Sequence, residues 1–246
     1  METGSTNLGN QVVKKIQEKI EISGINNNEF YNTFKSEELD KETLKFIFQQ
    51  YYYYIRTFPQ ILSGLAPRVD DELIRLKVCR TVVSELGDGH GEPHFSMFKD
   101  ALNSIGVSLD PYESATYNPE TKKLVSELER LFLSEPPNYA IGAHYVIEEF
   151  GLPMIINLYE GFRQYSGWKH EDYNYFYLHI LIESNHVDWI QDALLSAAKD
   201  DYSATQLLDG ADQVLVALSK FWEGLNRIAL NSQQKLKKVG ALRLTN

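Results

Sequence analysis

The sequence predicts an all-α protein, a multi-helical bundle of seven to eight helices. Three observations predict it. Apolar residues recur at three- and four-residue spacings in one stretch after another. No stretch alternates apolar and polar residues between hairpin turns, so no strand is assigned. The breaks between periodic stretches hold the capping residues, glycines and prolines that start and stop helices. Several of these helices are apolar over more than one face, which calls for a layered bundle rather than a thin coiled coil.

The elements follow in order. Val12, Val13, Ile16, Ile20 and Ile22 mark a helix over 11–22. Residues 25–40 are polar and Asn-rich, a connection with room for one short helix. Residues 41–65 form a long apolar-aromatic helix with Phe46, Ile47, Tyr51, Tyr54, Ile55, Phe58, Ile61 and Leu62 on one side, and Pro59 is expected to kink it. Asp70 and Asp71 open the next, over 70–86, which continues through Leu73, Leu76, Val78 and Val82. The Gly-rich turn 87–93, GDGHGEP, ends that helix, and Pro93 starts another over 94–106. A loop over 107–118 leads to a helix from Pro119 to residue 134. Residues 138–165 read as a helix interrupted near Gly151 and Pro153. Two more span 171–199 and about 203–230, and a basic tail follows with Lys235, Lys237, Lys238 and Arg243.

The chain has 246 residues, enough for one large domain or two small ones. With neither a repeat nor a low-complexity linker, it reads as a single helical domain with its core at about 40–230, a flexible N-terminus and the basic tail. Against 24 Lys and Arg stand 34 Asp and Glu, a net charge of −10, which argues against nucleic acid as a partner. The single cysteine, Cys79, excludes an intrachain disulfide framework and a thiolate metal cluster. Apolar runs stop short of the roughly 18 residues a membrane span needs, so no membrane is expected as a partner. Residues 1–10 have neither basic region nor apolar core, so a cytoplasmic location is expected.

Chemistry concentrates in residues 175–190, YFYLHILIESNHVDWI. His179, Glu183 and His186 stand at i, i+4 and i+7, within about 60° of one another on the helix. Leu178, Ile180, Leu181 and Ile182 around them indicate burial. Three ionisable groups on a buried face need a shared partner, and a divalent metal accepts imidazole and carboxylate together. A hydrogen-bonded core histidine pair with Glu183 as acceptor meets the same pattern. Further donors flank the Gly-rich turn: Glu85 before it and His94 after it, with Asp88, His90 and Glu92 inside it. In the helix over 138–150, Glu148 shares a stripe with Ile141, Tyr145 and Leu152, while Glu149 lies about 100° away. One of the two glutamates is expected to point inward, and His144, one turn before Glu148 on the same face, reads as a structural residue or as one supporting a ligand from behind. The inventory of three carboxylates and three imidazoles suits a dinuclear iron or manganese site. The paired Glu-x-x-His motifs of ferritin-like bundles are missing.

Glu85 with its Gly-rich turn and His94, then Gly142-Ala-His-Tyr-Val-Ile-Glu148, then His179-x3-Glu183-x2-His186, resembles the haem-oxygenase-like dimetal oxidases. Within them the pattern is most similar to the group of the chlamydial death-domain-associating protein and its TenA/PqqC-like relatives, over roughly residues 40–225. The resemblance implies a haem-oxygenase-like bundle, two iron ions or one iron and one manganese, and O2 as co-substrate for oxidation of a small organic substrate. It implies Glu85, His94, Glu148, His179, Glu183 and His186 as metal ligands. The family often has Asp where this chain has Glu183. The turn between Glu85 and His94 is long and carries His90 and Glu92 as rivals, as Glu149 rivals Glu148. Haem itself fits poorly, because haem oxygenases use a histidine from an early helix and residues 1–65 contain none.

Tyr175, one turn before His179, and Tyr145, three residues before Glu148, are candidates to line the cavity or carry a radical. Some members of the resembling family make p-aminobenzoate from a tyrosine of their own, which singles out Tyr175. Arg56, Arg75, Arg80 and Arg163 are candidates for a substrate carboxylate. Two rivals remain: a metal-free cofactor-pocket enzyme of the same fold, and a protein-interaction module. The face with Leu215, Leu218, Phe221, Trp222 and Leu225 serves a homodimer as readily as the core.

Overall fold

The computed structural model describes the backbone of residues 2–36, 38–89, 91–165 and 173–243; side chains are described there except at 2–6, 174, 178, 182–185 and 235–243. Among the described residues there are nine α-helices, two single 3-10 turns and no strand. The helices are α1 (Glu2–Ser23), α2 (Glu29–Ser36), α3 (Lys41–Leu65), α4 (Glu72–Glu85), α5 (His94–Ser104), α6 (Pro119–Leu133), α7 (Pro137–Phe162), α8 (Asn174–Ala197) and α9 (Asp201–Arg243). No described helix is long and apolar enough to cross a membrane.

The starts obey local chemistry. Asp40 accepts from the Thr43 N–H, Asp71 from Leu73 and Ile74, and Asn118 from Thr121, each satisfying first-turn amides with no helical partner. Gln50 then ties α3 to α6: its Oε1 accepts from the Asn118 N–H, and its Nε2 donates to the Thr116 carbonyl.

Helix α7 is the central element. It packs along both α8 and α9, with α2 across it; α3 lies against α6, and α4 against α8. At the α7–α9 crossing the backbones nearly touch. A Cβ on Gly142 would lie 1.9 Å from the Leu207 carbonyl oxygen, and one on Gly210 would lie 2.0 Å from that of Tyr139. The face with Leu215, Leu218, Phe221, Trp222 and Leu225 is buried in the core.

Several expectations are corrected. The bundle has one helix more than expected. Helix α1 starts at Glu2 rather than near residue 11, and its Ile22 is exposed. Helix α7 runs unbroken through Gly151 and Pro153, because packing along both flanks outweighs the lost amide. Helix α9 continues to Arg243, through the segment expected as a tail; no Gly or Pro falls between Leu225 and Val239. Phe46, Leu73 and Leu76 face solvent, and the inward stripe of α4 is Ile74, Val78, Thr81 and Ser84. That rotation of α4 carries the polar end of the stripe, Ser84 and then Glu85, toward the bundle interior.

Candidate metal centre

Glu85 is the last residue of α4 and His94 the first of α5. The turn between them folds back on itself. Gly87, Asp88 and Gly89 have φ of 91°, 54° and 74°. The Gly91 N–H donates to the Gly87 carbonyl at 2.8 Å. A Cβ on Gly87 would lie 2.7 Å from the Gly91 carbonyl oxygen, so only glycine permits this closure. Pro93, extended at ψ 141°, launches α5. As a result Glu85 Oε2 stands 3.2 Å from His94 Nδ1.

Helix α7 brings Glu148, and α8 brings His179 and His186. His186 Nδ1 lies 3.3 Å from Glu148 Oε2 and 3.8 Å from Glu85 Oε1. The His94 and His179 rings meet edge to face, centroids 4.3 Å apart. The far atoms of three of these side chains are held from behind. His144 Nε2 and Glu148 Oε1 are 2.8 Å apart, and His186 Nε2 and Ser84 Oγ 2.9 Å. His179 Nδ1 donates to the Tyr175 carbonyl at 2.7 Å. A carbonyl only accepts, so His179 carries its proton on Nδ1 and its lone pair on Nε2.

Burial and contact set the charges. Burial, aided by the neighbouring His94, pushes His179 down to about 4, so it is neutral at pH 7. Burial alone would raise Glu148, but contacts with His144 and His186 outweigh it and hold the carboxyl well below the usual range. Burial would likewise raise Glu85, and His94 and His186 outweigh it. Both glutamates are therefore carboxylates at neutral pH, facing imidazoles.

Glu85, His94, Glu148 and His179 line a cavity of about 50 Å³ with Tyr51, Tyr54 and Tyr175 among its other walls. That is far below the roughly 300 Å³ of a small-molecule pocket. A second space of about 380 Å³ shares His94 and His179 as its inner wall and is otherwise lined by Gly87, Asp88, Gly91, Glu92 and Met97. A surface groove of about 650 Å³ between α6 and α9 contains none of these residues.

Five of the six expected ligands thus meet: Glu85, His94, Glu148, His179 and His186. Glu183 lies in α8 between the two histidines, and its side chain is outside the described residues, as is His90 altogether. Glu92 is exposed on the outer space. Glu149 points away, toward Gln17 at 3.4 Å. Tyr175 lines the inner cavity. Tyr145 does not: its hydroxyl accepts from Gln17 at 3.0 Å and donates to Gln191 at 3.4 Å, away from the cavity. None of the four arginines lines either space. Arg56 lies over the Tyr112 ring and Arg80 over Trp189; Arg75 binds the Ala66 and Val69 carbonyls, and Arg163 binds Glu160. The residue that sequence reasoning missed is Ser84; of the two roles expected for His144, structural or supporting Glu148 from behind, the contact with Glu148 is the one in place. The signal for Ser84 was its place on a buried stripe three residues after Thr81.

The donor chemistry fits iron, which takes carboxylate and imidazole together. His94 Nδ1 is buried and makes no aligned hydrogen bond, a ring nitrogen suited to a cation. As they stand, the acids and imidazoles contact one another, and among the described residues no three of them are arranged to hold a metal ion.

Residues 45–218 match a family described as iron-containing redox enzymes. A 4-chloro-allylglycine synthase of Streptantibioticus cattleyicolor is 24% identical over 199 residues, 81% of this chain and 76% of that protein. A 4-aminobenzoate synthase of Chlamydia pneumoniae is 25% identical over 211 residues, 85% and 92% of the two chains. A CADD-like protein of Nostoc punctiforme superposes with a TM-score of 0.77 at 16% identity, covering 90% of this chain and 98% of its own. A Shewanella denitrificans domain with a haem-oxygenase-like fold gives 0.70 at 16% identity, covering 93% of each. This chain therefore has the haem-oxygenase-like fold and belongs to the iron-containing redox enzymes, as an oxidoreductase.

Proposed function

We propose that the protein is an O2-dependent oxidase or oxygenase with a dinuclear iron, or iron-manganese, centre. The observation that supports this most directly is the convergence of two carboxylates and three imidazoles from four helices, with Glu85, His94, Glu148 and His179 lining one small cavity and His186 against both carboxylates. Glu85, His94, Glu148, His179 and His186 would hold the ions, with Glu183 as the sixth ligand. Iron held there would supply O2 reduction and, with it, the oxidising power to remove hydrogen from an organic substrate or insert oxygen into it.

The chain's own residues do the rest. Glu85 and Glu148 bring two negative charges, which offset those of divalent ions. His179 presents a neutral ring with its lone pair on Nε2. Tyr51, Tyr54, Ile55, Phe58, Ile147, Met154 and Ile155 keep the inner cavity largely apolar and exclude bulk water. An organic substrate does not fit in about 50 Å³, and the outer space behind His94 and His179, at about 380 Å³, is large enough.

The names of the relatives give two products, a chlorinated amino acid and 4-aminobenzoate; the substrate is then a free small molecule or, as the family resemblance suggests, a tyrosine of the protein itself. For the second, Tyr175 is the residue to watch, its ring 4.1 Å from that of His179. The test is anaerobic loading with Fe(II), metal counting, then O2 with intact-mass measurement. About two irons per chain and O2 uptake support the reading. A chain that takes up no iron or manganese overturns it, and favours the metal-free relatives. A mass change lost in Tyr175→Phe assigns the tyrosine; an unchanged mass points to a free substrate.

A further inference from the structure

We infer that Ser84 and His144 are positioning residues that fix which atoms the centre's ligands turn inward. This rests on the dimetal reading for its metal readout, and on geometry alone for its tautomer readout. The arrangement repeats on two helices. Glu148 has one oxygen, Oε1, 2.8 Å from His144 Nε2, and turns the other, Oε2, toward His186 Nδ1 at 3.3 Å. His186 has Nε2 2.9 Å from Ser84 Oγ, and turns Nδ1 toward both carboxylates. In each, the outward atom is tethered and the inward atom is thereby aimed.

His144 is fully buried, with the rings of Phe58 and Phe132 at 5.9 and 6.3 Å, and its Nδ1 has no hydrogen-bond partner. An imidazole in such a place costs stability unless the bond it does make matters. Its single polar contact is Glu148, so Nε2–H donates and the carboxylate accepts. Ser84 is buried on the inward stripe of α4, beside Glu85. The Ser84 hydroxyl can donate to His186 Nε2 or accept from it; as donor it leaves the ring proton on Nδ1, facing the two carboxylates, where a metal ion would replace it. The geometry thus assigns opposite ring nitrogens to the two histidines of α8: Nε2 for His179, whose Nδ1 is taken by the Tyr175 carbonyl, and Nδ1 for His186. Partners of this kind typically change metal affinity by about 10–100-fold.

The experiment uses the full chain with Co(II) as the probe and two readouts: visible absorption during titration, and imidazole ¹⁵N shifts of the metal-free protein. The wild type should show Nδ1–H for His179 and His186 and Nε2–H for His144. Ser84→Ala should bind Co(II) about 10–100-fold more weakly with shifted absorption bands, and its His186 should lose the single-tautomer signature. Ser84→Thr, which keeps the hydroxyl, should restore both. His144→Phe should weaken binding similarly, and His144→Gln, which keeps a donor, should recover most of it. Wild-type affinity and bands in Ser84→Ala would overturn the inference for Ser84. The same result in a folded His144→Phe would overturn it for His144, and if that variant does not fold, His144→Gln binding more weakly than Ser84→Ala overturns it instead. A wild type that binds no Co(II) refutes the metal reading, not the positioning; a metal-free His186 that mixes both tautomers as freely as it does in Ser84→Ala would still refute the latter.

Discussion

Two neighbouring glutamates on α7 meet opposite fates. Glu148 is buried, with His144 one turn before it and His186 facing it from α8. Glu149 is half-buried, with Tyr145 one turn before it and Gln17 of α1 facing it. Each pair follows the same i, i+4 spacing, and the two differ by one residue, about 100° of helix rotation. Residue type therefore does not make a site here. What makes it is what stands opposite: α8 supplies imidazoles to one face, while α1 and the later part of α8 supply amides, Gln17 and Gln191, to the other. On the Tyr145 side one carboxylate meets neutral amides and a phenol and needs no ion. The His144 side gathers two carboxylates and three imidazoles, whose charges an ion can balance.

The largest expected effect comes from breaking the inward pair. Glu148→Ala should abolish iron binding, a loss exceeding the roughly hundredfold of an outer partner. It should also destabilise the metal-free protein by about 3–5 kcal/mol, because His144 Nε2–H loses its buried acceptor and His186 its carboxylate. Glu149→Ala should leave bound iron within about twofold of wild type. Metal counting and urea denaturation of both variants decide it. Equal iron loss in the two would erase the distinction between the faces.

Acid sharpens the same contrast. His179 is held to about 4 in the folded chain against an ordinary 6.5. As pH falls below 6.5 the unfolded chain takes up a proton that the folded chain refuses. Stability of the metal-free protein should therefore fall across the window from 6.5 to about 4, by roughly 3 kcal/mol. Glu148 and Glu85, depressed below the usual carboxylate value, add a second loss that begins only near pH 4.5. Denaturation midpoints against pH test this. His179→Gln should flatten the upper window, and Glu149→Gln should not.

Much of this was legible in the sequence, for a physical reason. Ligands within one helix are a matter of angle, so His179 and His186 could be placed on one face from their spacing alone. Glu85 and His94 could be joined because three glycines and a proline between them demand a reversal. Opposition between helices was not legible. Nothing in the spacing says that α1 stands against Tyr145 or that Ser84 stands behind His186, since those depend on how helices cross. The same gap explains Tyr145 as a cavity candidate: it shares the apolar stripe of Glu148 in sequence, yet its hydroxyl leaves toward Gln17. The end of α9 was misjudged because a basic composition was read as a tail, although no helix breaker stood in the way.

The α7–α9 crossing offers a weaker test. Gly142, two turns before Glu149 on the same side of α7, faces α9 at backbone contact. Gly142→Ala should force the two helices apart and cost about 1–3 kcal/mol, an overpacking penalty. Because α7 carries Glu148, iron affinity should fall with it by less than in Ser84→Ala. A thermal midpoint unchanged by the methyl group would show that the crossing is looser than the glycine spacing requires.

The smallest effect should come from Tyr145→Phe. The hydroxyl holds Gln17 at 3.0 Å and Gln191 at 3.4 Å, and the ring stays fully buried without it. Loss of these bonds should cost about 1 kcal/mol, because Gln17 Nε2 keeps Glu149 as an acceptor at 3.4 Å. Bound iron, the pH window of His179 and any self-modification should all match wild type. Tyr175→Phe, at equal loss of one oxygen, should instead alter the O2 reaction, since that ring stands against His179. A Tyr145→Phe chain with lost iron would mean that the outward network, not the facing helix, sets the position of Glu148.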